Sequence, residues 1–143
     1  MLDQNIASAI WDYLLRYDET GNPSFLITAW SLFLGAINNS DIPNFETRGY
    51  VDFNEDKDNL TLSPKSGIVN KGNLQDIAGK MIGWLTSYSA ISKGGYKPAQ
   101  TNAKIVCESS KVTLIMILTA LNLVQNPIRA GIIPEELNIE TEE

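Results

Sequence analysis

Residues 25–37 read Phe-Leu-Ile-Thr-Ala-Trp-Ser-Leu-Phe-Leu-Gly-Ala-Ile, with no charged side chain. At helical spacing Phe25, Leu26, Ile27, Trp30, Leu32, Phe33, Leu34 and Ile37 leave no polar side. A helix apolar all round is stable only when covered, by its own fold or by a partner. The stretch is shorter than the roughly 20 residues that cross a bilayer, so a core helix is expected. Trp30 and Phe33 are its candidate protein-interface residues. Thr28, Ser31 and Gly35 form a small-residue stripe that would admit a neighbouring helix. Asn22 as cap and Pro23 as first residue start the helix, which should end near Asn38.

The other elements follow from that one. Ile6, Ile10, Trp11, Leu14, Leu15 and Tyr17 recur at helical spacing over 3–18, with Asp3 as cap and Gly21 past the end. Leu74, Ile77, Ala78, Met81, Ile82, Leu85, Tyr88 and Ile91 predict a third helix capped by Asn73. Gly79 and Gly83 in it point to close packing, since each costs roughly 1 kcal/mol relative to Ala. Pro98 opens a fourth helix over 98–126, with a loosening expected at Glu108-Ser109-Ser110, a core half from Val112 to Val124, and a stop at Asn126-Pro127.

Between helices two and three the pattern breaks over 40–72. Tyr50-Val51-Asp52-Phe53 and Leu60-Thr61-Leu62 flank a polar turn, which predicts a small β-hairpin near 49–62. An isolated hairpin is marginal, so Tyr50 and Phe53 are expected to lean on the helices or on a partner. Asp52, Asn54, Asp56 and Asp58 match the opening of an EF-hand loop, but Lys57 replaces its glycine and Ser63 its closing glutamate. Gly67 to Gly72 has P-loop glycine spacing without the Lys-Ser/Thr that follows. Neither is a site, and no metal or cofactor is expected. The expected fold is mainly α: one domain over 1–143, a bundle of about four helices with the hairpin insertion, and a loose acidic tail at about 134–143.

The chain has no His, the commonest general base and metal ligand, and only one cysteine, Cys107. That excludes an intrachain disulfide, leaves a catalytic cysteine without its usual base, and makes Cys107 a small apolar residue in a reducing, cytoplasmic setting. No grouped acids or nucleophiles mark an enzyme. The opening has no basic signal region.

What stands out is charge. Residues 1–60 carry three basic against ten acidic side chains, a net of −7, and residues 113–143 carry Arg129 against five Glu, a net of −4. Residues 61–112 carry seven Lys against Asp76 and Glu108, a net of +5, within a whole of −6. Lys93, Tyr96 and Lys97 crowd the turn before Pro98, where a helix start favours anions. Lys104 and Lys111 continue along the helix, and Lys65, Lys71 and Lys80 can join from nearby turns. Tyr96 can stack on a base. These are the parts of a sequence-neutral, phosphate-tracking surface. The absence of Arg there speaks against bidentate base reading. The bland alternative is lysines that keep two helices soluble.

Over residues 73–126 the layout resembles the small helical-bundle subunit of CRISPR effector complexes. The pattern is Ile77-Ala78-x-x-Met81-Ile82-x-Trp84-Leu85-x-x-Tyr88, the turn Lys93-Gly94-Gly95-Tyr96-Lys97-Pro98, then a long helix. The resemblance implies a non-catalytic subunit in antiviral defence that stacks with other subunits and touches guide or target strands through basic helices. It implies Lys80, Lys93, Lys97, Lys104 and Lys111 as contacts. The acidic N-terminal half and the hairpin depart from a plain bundle.

The sequence therefore leads to a non-enzymatic helical subunit of a nucleoprotein assembly. Its partners are other protein subunits, further copies of itself and an RNA or DNA backbone, with no membrane, and Lys71, Lys80, Lys93, Tyr96, Lys97, Lys104 and Lys111 bind the strand. The alternatives are a self-assembling coat or filament subunit, or an adaptor without nucleic acid.

Overall fold

The structure, a computed structural model, describes residues 2–56, 61–92 and 97–124. Four helices and one antiparallel hairpin follow in the order α1 (Gln4–Thr20), α2 (Pro23–Asn38), β1 (Glu46–Asp56), β2 (Thr61–Asn70), α3 (Leu74–Ser92), α4 (Lys97–Ala120). The expected mainly α bundle with a small hairpin is what forms. No described helix is long and apolar enough to cross a membrane.

The first two helix starts are local chemistry. Asp3 Oδ1 accepts from the Asn5 N–H at 2.7 Å, and Asn22 Oδ1 from the Ser24 N–H at 3.0 Å. Gly21 takes φ 70° and returns its N–H to the Tyr17 carbonyl at 2.7 Å, so α1 ends where a side chain would be strained. Asn73 departs from its expected role. It stands at the cap position of α3, its carbonyl accepting from the Ile77 N–H at 3.0 Å, but its side-chain oxygen accepts from the Asn70 N–H and its amide donates to the Ile68 carbonyl, so the side chain ties the end of β2.

α1 packs on α2, α2 on α3, α3 on α4, and the hairpin lies against α4. Leu26, Ala29, Trp30, Phe33 and Ala36 of α2 are buried, with Trp30 and Phe33 edge to face at 6.0 Å. Both rings have no exposed surface, so the candidate interface at Trp30 and Phe33 is corrected: they are interior core. The helix has an outer side after all. Ser24, Ser31, Leu32 and Gly35 face solvent, and a Cβ on Gly35 would meet nothing within 4 Å. Gly79 and Gly83 of α3 are likewise exposed with open space around them, so these glycines mark no close helix packing among the described residues. The packing is made by large residues such as Met81 and Leu85, both buried.

The hairpin is longer than the sequence pattern indicates, reaching from Glu46 to Asn70. Pro64 sits inside β2 opposite Phe53. A two-stranded ribbon has a free edge on each strand, which is where proline's missing N–H does no harm. A bulge at Val51 shifts the register between Tyr50 and Asp52. At the base Thr47, Gly49 and Val69 are buried. Beyond the bulge the opposite set, Phe53 and Leu62, is buried instead. Phe53, expected at an interface, packs edge to face on Trp84 of α3 at 5.2 Å, so that expectation too is corrected. Gly49 brings the ribbon against α4: a Cβ there would stand 2.6 Å from Thr113 Cγ2. Thr113 Oγ1 accepts from the Tyr50 N–H at 2.9 Å and donates to the Ser109 carbonyl at 2.7 Å.

α4 is continuous through Glu108-Ser109-Ser110, with Ser109 and Ser110 buried and the Ser110 hydroxyl returned to the Cys107 carbonyl at 3.0 Å. It ends earlier than expected. Asn122 at φ 60°, with Leu123 N–H on the Leu118 carbonyl and Asn122 N–H on that of Thr119, closes it as a Schellman turn. Asn126-Pro127, the tip of the hairpin over 57–60 and the acidic tail at 134–143 lie outside the described residues.

Candidate nucleic-acid interface

Positions 97, 104 and 111 are seven apart, two helical turns, and share one face of α4. That face runs inward. Lys104 is exposed, whereas Lys111 is 4% exposed. Its ammonium lies 2.8 Å from Asp18 Oδ1 and 3.2 Å from Glu108 Oε2, and 5.9 Å from the centre of the Tyr17 ring. The expected phosphate contact at Lys111 is therefore corrected. Its charge is committed to two carboxylates beneath the end of α1, where a backbone phosphate has no access.

The same corner holds Cys107, buried beside Tyr17. Burial, then the charge of Glu108, pushes the Cys107 thiol up to about 11, although a hydrogen bond with Tyr17 opposes this. Burial, followed by the neighbouring Cys107, Glu108 and Asp18, raises the Tyr17 phenol well above its ordinary value. A thiol held protonated at neutral pH is a poor nucleophile.

The remaining lysines do not form one strip. Lys104 lies on the mouth of a groove of about 540 Å³ between the α1–α2 corner and α4, with Asp18 and Glu108 in its wall. Lys80 lies in another of about 480 Å³ between the hairpin and α3, beside Asp52 and Asp76. Lys71 sits next to the α2–β1 connection, 3.9 Å from Asp41. Among the described residues, Lys80 and Lys104 make no ion pair. Lys93 and Tyr96 lie outside the described residues. The backbone of Lys97 opens α4, with its side chain likewise outside them.

A further groove went unread in the sequence. Tyr50 and Pro64 of the hairpin, with Ile105 and Val112 of α4, line an apolar space of about 360 Å³, with Lys104 and Glu108 at its edge. Tyr50, one of the expected interface residues, is half-buried there. The signal that could have found it was Ile105, an apolar residue next to Lys104 and off the buried stripe of Ala103, Val106 and Cys107. Among the described residues, no group of three or more Cys, Asp and Glu side chains is placed to hold a metal ion.

Fold and site together define a small helical bundle braced by a β-hairpin, with a lysine row that emerges from under its first corner. Comparison with family models, curated proteins and solved structures gives no match to this chain.

Proposed function

We propose that the protein is a non-enzymatic helical subunit of a nucleoprotein assembly, and that it holds a nucleic-acid backbone at the outer end of α4 through Lys93, Lys97 and Lys104. The observation that carries this reading is the exposure of Lys104, free of ion pairs among the described residues, on the same helix face as position 97. A helix start with two or three lysines favours phosphate without reading bases. The raised thiol of Cys107 supports a non-catalytic role. The resemblance of 73–126 to the CRISPR effector small subunit points the same way. Lys71 and Lys80, in separate grooves beside carboxylates, make secondary contacts.

The test is fluorescence anisotropy of a labelled 30-nucleotide single strand, as RNA and as DNA, from 50 to 200 mM salt. The triple variant Lys93→Glu, Lys97→Glu and Lys104→Glu should bind at least tenfold more weakly and with a flatter salt dependence. Unchanged binding by the variant, or none by the wild-type chain at 50 mM salt, sinks the reading. The apolar groove beside Tyr50 supports a second reading, a self-assembling structural subunit that receives a segment of a neighbouring copy. Light scattering on nucleic-acid-free protein separates the two, since only the second predicts large homopolymers.

A further inference from the structure

The groove between the hairpin and α4 is apolar, half-open and built from both elements. Tyr50 and Pro64 form the hairpin wall. On α4, Thr101, Ile105, Glu108 and Val112 follow at steps of three and four residues, which puts them on one stripe toward the hairpin. The walls are tied together, because the Tyr50 N–H is bonded to Thr113 on α4 at 2.9 Å. The space of about 360 Å³ is of the size that takes a small ligand.

We propose that this groove receives one unpaired base of a nucleic-acid single strand, while Lys104 holds a phosphate next to that base. The inference rests on the reading of the protein as a strand-holding subunit and deepens it, adding a base contact to the backbone contacts. Three observations select this occupant. The first is Tyr50. Its side chain is half-buried in the groove, and among the described residues it belongs to no ring pair, unlike Tyr13 on Phe25 and Tyr88 on Trp84. An aromatic side chain lining an open slot can take a stacked base. The second is charge. Lys104, exposed and without an ion pair among the described residues, stands at the groove edge. The carboxylate at that edge, Glu108, is matched by Lys111 at 3.2 Å. An apolar slot beside an unpaired ammonium suits a flat ring carried on an anionic backbone. The third is the lining. Pro64, Ile105 and Val112 carry no side-chain donor or acceptor, so this part of the groove selects a base by stacking and shape rather than by its edges. A base inside a duplex has both faces covered and does not enter.

The test is fluorescence anisotropy with two labelled probes of equal charge, a 30-nucleotide oligothymidine and a 30-unit strand of abasic residues. Wild-type protein should bind the thymidine strand at least fivefold more tightly than the abasic strand, with equal salt slopes, since both offer the same phosphates. Tyr50→Leu should bring thymidine binding down to the abasic level and leave abasic binding unchanged. Ile105→Asn, on the opposite wall, should do the same, and it carries the test if circular dichroism shows that Tyr50→Leu has not folded. Equal affinity of the wild type for the two strands, a comparison that needs no variant, overturns the base-binding inference and leaves the strand-holding reading intact. A preference for thymidine that the folded variants retain overturns it too, by placing the base contact elsewhere. Binding of neither strand at 50 mM salt overturns both the inference and the reading on which it rests.

Discussion

The ammonium of Lys111 lies 2.8 Å from the carboxylate of Asp18, joining the middle of α4 to the end of α1 across 93 positions of sequence. The lysine side chain is 5% exposed and the aspartate 28%, so the two partners have different access to water. Removing the lysine leaves carboxylates that can turn outward. Removing the aspartate leaves a buried ammonium with Glu108 alone. Lys111→Met, which keeps the stem, should cost no more than about 1 kcal/mol, whereas Asp18→Ala should cost about 2–3 kcal/mol. Urea midpoints of the two variants measure the order. If Lys111→Met proves the more damaging, water access is not what governs this pair.

Lys111 also shows where sequence reasoning stops. A row at 97, 104 and 111 follows from helix period, and the period is right. Which end of the row dives inward depends on Asp18, a partner that no local window contains. Caps at Asp3 and Asn22 were legible because cap and target lie two residues apart. The hairpin's existence was legible from Tyr50 to Phe53, but its length was not. Its outer positions are Ser, Lys, Asp and Asn, and the buried set changes at the Val51 bulge, which erases the two-residue alternation. Gly49 looked like punctuation because only Thr113, 64 positions later, explains it.

Gly49 and Thr113 make a second test. A methyl at residue 49 would sit 2.6 Å from Thr113 Cγ2, closer than van der Waals contact permits. Gly49→Ala should destabilise by about 1–3 kcal/mol through overpacking. Thr113→Ser keeps the hydroxyl that receives the Tyr50 N–H and removes the clashing methyl. The double variant should therefore recover at least half the loss, a non-additivity that a double-mutant cycle in urea reads directly. Strict additivity would mean that the ribbon shifts to make room for the new methyl.

The Cys107 thiol, held up to about 11 against an ordinary value of 9, has a consequence for stability at high pH. The folded state keeps its proton where the unfolded state has lost one, so the contribution is complete below pH 9. It declines as pH rises from about 9 through 11. Tyr17 shifts in the same direction and extends the loss further up. Melting temperature should stay flat from pH 7 to 8.5 and fall above pH 9. Cys107→Ala should shallow that fall. A thiol reagent at pH 8 should label the native protein at least tenfold more slowly than the urea-unfolded chain. Rapid native labelling would contradict the buried, protonated thiol.

Lys104 and Lys111 share a face of α4, yet only Lys104 meets solvent, so the proposed nucleic-acid binding should depend on salt differently in variants of the two. On a single strand, each phosphate deprived of its lysine lowers the slope of log affinity against log salt by about 0.7. Lys104→Gln should show that reduction and bind roughly two- to fivefold more weakly at 100 mM salt. Lys111→Met should leave the slope unchanged, because its charge is already matched by Asp18 and Glu108. Equal slopes for both variants and the wild type would place the binding surface elsewhere. A weakening at Lys111 equal to that at Lys104 would mean that the α1 end swings away to expose the whole row, which circular dichroism and the urea midpoint of the complex would then have to show.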